Sequence, residues 1–102
     1  MLEAPEVKVN DENTVSWSSI GATSFWIFAV PEIDYSSYSE LFKYLKPLTK
    51  NHFKENQLQV KENPFEEDTK FRVIVRANFE EKINGVPRFS KETWGISDVI
   101  IK

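Results

Sequence analysis

The chain has no cysteine, one histidine, three glycines and no apolar run of the length that crosses a bilayer. Each shortage removes a class of proteins. Without Cys there is no disulfide framework and no thiolate zinc site. His52 lies between Asn51 and Phe53, with no Gly-x-Ser-x-Gly anywhere, so no serine-hydrolase arrangement is written in the chain. Gly21, Gly85 and Gly95 are too scattered for either phosphate-binding loop. A membrane-spanning helix needs about 18 apolar residues, and no such run exists. The net charge of −3 gives no reason to expect nucleic acid or an anionic membrane. No Asn-x-Ser/Thr sequon is present, and Met-Leu-Glu-Ala-Pro does not have the form of a signal peptide.

What remains is ordinary globular material, 102 residues with 40% hydrophobic and 14% aromatic side chains, enough for one domain with one core. The most informative stretch is Phe65 to Asn78. A polar turn is followed by strict alternation, with Phe71, Val73, Val75 and Ala77 on one face and Lys70, Arg72, Ile74 and Arg76 on the other. Further strands are predicted at Val7–Val9, Thr14–Ile20, Ser24–Val30 and Gln57–Glu62, and over Phe89–Ile101 with a bulge at Gly95. Ser24–Val30 is apolar on both faces, and Pro31 ends it. Asp11-Glu12-Asn13 and Asn84-Gly85 read as turns, the second as a positive-φ pair. Residues 32–56 do not read as a strand. Ser37-Tyr38-Ser39-Glu40 has the form of a capping box, and Leu41, Tyr44, Leu45 and Leu48 recur at helical spacing. A short helix over roughly Tyr38–Lys46 is therefore expected as an insertion.

Strands joined by short turns predict an antiparallel sandwich. The chain also resembles the fibronectin type III family. Pro5, Trp17 and Phe25-Trp26-Ile27 occupy the places of that family's leading Pro, second-strand Trp and third-strand aromatic-x-aliphatic pair. Phe65, Thr69, Phe71, Val73, Val75 and Ala77 follow its Leu-x-Pro-x-Thr-x-Tyr-x-Val-x-Val-x-Ala signature. Phe71 lacks the corner hydroxyl, Glu67 replaces the corner Pro, no Arg-Gly-Asp occurs in Glu80–Arg88, and the inserted helix is atypical. The expected fold is an all-β, seven-stranded antiparallel immunoglobulin-like sandwich spanning residues 1–102. Its short helix is inserted between the third strand and the strand near Gln57. A core of Val7, Val15, Trp17, Phe25, Ile27, Leu58, Val60, Phe65, Phe71, Val73 and Val75 is expected, with Trp17 and Phe71 meeting in it.

No catalytic, cofactor-binding or metal-binding residue is expected. The acids at Glu66-Glu67-Asp68 and Glu80-Glu81 read as solvated turns, since paired catalytic acids need a partly desolvated cleft. Asp11, Glu12 and Asn13 lack calcium-loop spacing. The third, sixth and seventh strands of such a fold lie side by side, which points Trp26, Phe28, Arg72, Ile74 and Arg76 outward from one sheet. Two aromatics beside two guanidinium groups could serve as an interaction face, for a protein partner or for a glycan. The competing expectation is that the inserted helix covers this face, with Leu41, Leu45 and Leu48 on Trp26 and Phe28. The face of Trp94 is left open.

The resemblance implies a non-catalytic spacer or docking module of a longer extracellular or cell-surface protein. The Lys-, Asn- and Ile-rich usage suggests a bacterial source, where such modules accompany glycoside hydrolases. Partners would be adjacent domains, another protein or a glycan, without nucleic acid or membrane insertion.

Overall fold

A computed structural model of the chain describes residues 2–100, apart from the side chains of Phe89 and Ser90. Two antiparallel sheets form. One has the order β1 (Glu6–Val9), β2 (Thr14–Ser18), β5 (Gln57–Gln59); the other runs β4 (Lys46–Pro47), β3 (Ser24–Pro31), β6 (Phe71–Ile83), β7 (Val86–Ile96). Single-residue bridges from Phe53 to Phe25 and from Ile100 to Phe71 extend the second sheet.

The alternation read in the sequence becomes the two faces of this second sheet. Phe71, Val73, Val75 and Ala77 are fully buried against Val15 and Trp17 of the first sheet and Phe25, Ile27 and Ala29 of β3. Trp17 and Phe71 share this core, although Trp17 stacks edge-on with Phe25 at 5.8 Å and Phe71 faces Phe65 at 6.3 Å. Val7 and Leu58 are only half-buried because β1 and β5 are the two edges of the smaller sheet. Phe65 is half-buried too, in the corner that Asn63 braces by accepting from the Phe65 N–H at 2.9 Å and donating to the Thr69 carbonyl at 2.9 Å. Burying a Phe or Ile side chain contributes about 2–3 kcal/mol, so this shared core is the main stabilising term.

Turn chemistry matches residue type where φ is positive. Asn13 (φ 59), Gly21 (φ 89), Asn84 (φ 53) and Gly85 (φ 80) are types that tolerate the left-handed region. The side chain of Asn10 holds the first turn, accepting from the N–H groups of Glu12 and Thr14 at 2.9 Å each.

Four expectations are corrected. The helix α1 spans Tyr38–Lys43 rather than reaching Lys46. Pro47 disfavours a helical Lys46, and the open edge of β3 takes that backbone instead, pairing Ala29 with Lys46 and Phe28 with Pro47. Leu48, whose N–H donates to the Ile27 carbonyl at 2.8 Å, accordingly joins the inter-sheet core and not the outer face. The final strand ends at Ile96, and Ile101 lies outside the described residues. Its irregularity lies between Phe79 and Glu80, where the register skips Ser90, and not at Gly95.

Candidate functional site

The outer face of the larger sheet is set by register. Across β3, β6 and β7 it reads Trp26–Arg76–Trp94 in one row and Phe28–Ile74–Ile96 in the next, with Val30 opposite Arg72 beyond. The structure thus brings Trp26, Phe28, Arg72, Ile74 and Arg76 onto one face, and it adds Trp94 to them. Pairing through Ile96 carries the alternation intact past Trp94, a point obscured by Ser97-Asp98 in the sequence.

Both guanidinium groups are engaged within the fold. Arg76 is held between two indoles, 5.8 Å from the Trp26 ring and 5.8 Å from the Trp94 ring, and its Nε lies 2.7 Å from a Glu92 carboxylate oxygen. Cation–π pairs of this kind contribute about 0.5–1 kcal/mol at exposed sites and more when desolvated. Arg72 donates through Nε to Glu32 at 2.6 Å and through Nη1 to the Ser97 carbonyl at 3.1 Å.

The insertion then closes the middle of the face. Leu41, Leu45 and Tyr35 pack on Phe28, Val30 and Ile74, all three of which are buried. The segment is stiffened at the start of α1, where the Ser37 hydroxyl accepts from the Glu40 N–H at 3.3 Å. The Glu40 carboxylate reaches back past the cap to accept from the Ser36 N–H at 2.8 Å. Those bonds to Ser36 hold the Glu40 carboxyl below the usual range. The Tyr35 hydroxyl donates to the Pro31 carbonyl and anchors the insertion to the end of β3.

What stays open is a cleft of about 280 Å³ between α1 and β7, lined by Tyr38, Phe42, Ile74, Trp94, Gly95 and Ile96. Phe42 sits 5.6 Å from Trp94, and Trp94 in turn 5.9 Å from Phe28. Tyr38, Phe42 and Ile96 are 82%, 48% and 50% exposed, three large side chains gathered around one opening. The exposed apolar surface therefore lies at the β7 rim and not at the centre of the sheet: the sequence places Ile74 on this face and leaves the side of Trp94 open, whereas Tyr38, Phe42 and Ile96 are not expected there. One signal was available: Tyr38 and Phe42 are four apart and flank Leu41 at i, i+3 and i+4 spacing, so the apolar stripe of the helix is wider than its Leu positions alone. The lining offers rings, methyl groups and one phenol, a surface suited to binding by contact.

No protein-family model matches the chain, and neither a curated protein nor a solved structure matches it.

A separate polar cluster forms where β3 begins, opposite Asn78 and Glu80 of β6. His52 Nδ1 is 2.7 Å from Glu80 Oε1, so the histidine read as a lone loop residue has a carboxylate partner. Ser24 also donates to that carboxylate, and Asn78 reaches the Ser24 hydroxyl at 3.4 Å. Ser24 and Asn78 are fully buried, so the Ser24 hydroxyl is closed to a substrate. Glu66, Glu67 and Asp68 remain in solvent at the corner. Among the described residues, no three acidic or histidine side chains are placed to hold a metal ion. No helix among them is long and apolar enough to cross a membrane.

Burial of the Glu80 carboxyl pushes its pKa up, but the hydrogen bonds from Ser24 and His52, with the charges of His52 and Lys54, outweigh this and leave it below the ordinary value. A depressed carboxylate pKa stabilises the fold above the unfolded value, and that stabilisation is lost as pH falls through the folded one. Glu80→Gln should therefore lower stability at neutral pH and flatten its decline on acidification below the usual carboxylate range. Urea midpoints measured across that range for both proteins would check it. An acid limb of unchanged slope in the variant would show that Glu80 is not the group responsible.

Proposed function

We propose that this chain is a non-catalytic docking module of the fibronectin type III kind, carried in a longer extracellular protein and contacting its partner through the aromatic cleft between α1 and β7. Two features support the family reading. The strand orders β1–β2–β5 and β4–β3–β6–β7 fit that arrangement, and Pro5, Trp17 and the Phe65–Ala77 stretch fill its signature places. Residue usage favours a bacterial source, with a glycoside hydrolase as one suitable neighbour. The observation that carries the docking role is the cleft itself. Three large side chains stay exposed around a half-buried Trp while the rest of the same face is covered. Exposed apolar side chains gathered on a small domain mark contact sites more often than scattered ones do.

A second reading, glycan binding, draws on the same rings, since Tyr38, Phe42 and Trp94 could stack a sugar. Titration with soluble oligosaccharides, followed through tryptophan emission, separates the two. The docking reading expects no saturable change, and no turnover of generic glycoside or ester substrates by the isolated domain. A saturable change abolished by Phe42→Ala would transfer the cleft to the glycan reading. Turnover abolished by His52→Ala or Glu80→Gln would end the non-catalytic one.

A further inference from the structure

The two ends of the domain differ in charge. At one end the Asn10–Asn13 turn meets the segment after β5, because the Val60 N–H donates to the Asn13 carbonyl at 3.0 Å. That end exposes Asp11, Glu12, Glu62, Glu66, Glu67 and Asp68 against Lys46, Lys61 and Lys70, with Lys46 Nζ donating to the Pro64 carbonyl. Ile33, 46% exposed, lies at the same end, since Glu32 N–H donates to the Lys70 carbonyl at 2.8 Å. The result is an apolar side chain in an acidic setting.

The opposite end is built differently. β3 begins at Ser24, opposite Asn78, while β6 and β7 continue past it to the Asn84-Gly85 turn. Beyond Glu80 they form a two-stranded ribbon without sheet neighbours among the described residues. Ile83 pairs with Val86 at its tip, and the two are 53% and 51% exposed. Lys82 and Arg88 flank them, with Lys91 further along and Glu81 opposite Arg88. The tip is an aliphatic pair between cations, complementary in charge and character to the far end of the same molecule. Leu2 lies at the ribbon end and Ile100 at the acidic end, since Glu3 N–H donates to the Ile20 carbonyl and Ile100 pairs with Phe71.

We propose that the Lys82–Arg88 ribbon tip docks onto the acidic end of a second copy of this chain, head to tail. The contact is heterologous, so it grows into rows rather than closing into a two-fold dimer. Individual surface ion pairs contribute little and are screened by salt, so the association is weak and strongest at low ionic strength. Acidic end against acidic end and tip against tip both set like charges opposite each other, which leaves the tip-to-acidic-end orientation. This surface shares no residue with the aromatic cleft, so either reading can fail without the other.

The test is sedimentation velocity of the whole chain over a concentration series. Self-association should be tighter by roughly tenfold or more in about 0.01 M salt than in about 0.3 M salt. Lys82→Glu with Arg88→Glu should abolish it, and so should Glu66→Lys with Glu67→Lys. Mixing the two variants should restore it, because tip and acceptor charges are then exchanged. Far-UV circular dichroism confirms that each variant is folded. A monomer at every salt concentration, or association indifferent to both reversals, overturns the proposal. Failure of the mixture to associate does so as well.

Discussion

Gly95→Ala is expected to destabilise the domain by about 2–3 kcal/mol, although residue propensity alone argues for a gain. In a strand, replacing Gly by Ala ordinarily stabilises by about 0.5–1 kcal/mol through lower backbone entropy in the unfolded chain. Gly95 does not have a positive φ, so backbone conformation offers no objection. The objection is steric. A Cβ on Gly95 would stand 2.2 Å from the Pro5 carbonyl oxygen and 3.0 Å from the Pro5 ring. The near atom is backbone and cannot rotate away, so the segment leading into β1 must shift off β7. Overpacking of this kind costs about 1–3 kcal/mol, at the upper end when backbone moves. Chemical denaturation of both proteins measures the difference. Removing residues 1–5 from wild type and variant alike should erase the penalty and leave the small gain. A penalty that survives the truncation would place its cause elsewhere.

Phe71→Ala should cost about 3–5 kcal/mol, a large share of the roughly 5–15 kcal/mol that holds a domain of this size together. Phe71 is fully buried at the corner where β6 begins, and it lies among side chains from both sheets. Its backbone also binds the last described stretch: Phe71 N–H donates to the Ile100 carbonyl at 3.0 Å, and Ile100 N–H donates back at 2.7 Å. The cavity left by the ring cannot collapse without moving that bridge and Phe65 together. In urea the midpoint should fall by roughly 2–3 M with the slope unchanged. A fall of less than about 0.5 M would mean that Phe71 is not a core residue.

How much of this was legible in the sequence depended on range. Alternation is local, so the two faces of β6 and the outward set on β3 could be read directly. The Asn84-Gly85 turn and the Ser37–Glu40 cap are equally local chemistry. Apart from the end of α1, the misreadings involve partners distant along the chain. Gly95 looked like a bulge because Pro5, ninety residues earlier by number, is invisible to a local pattern. Leu48 looked like one more position on a helical stripe. The open edge of β3 takes Lys46 and Pro47 as a strand, and that reverses the side Leu48 faces. His52 looked solitary because Glu80 reaches it only across the sheet. The cleft was hidden for a related reason: whether Tyr38 and Phe42 are exposed depends on where α1 lands relative to β7, and no periodicity reports that.

The cleft exists only if the insertion lies over β3 and β6. Nuclear Overhauser contacts between the methyl groups of Leu41 and Leu45 and the ring of Phe28 or the methyls of Ile74 test this directly. With α1 over β3 and β6, those contacts are present while the Tyr38 ring shows none to the sheet interior. Absence of the Leu contacts, with the Phe28 ring open to solvent, would return the whole outer face to the surface and remove the cleft at its rim.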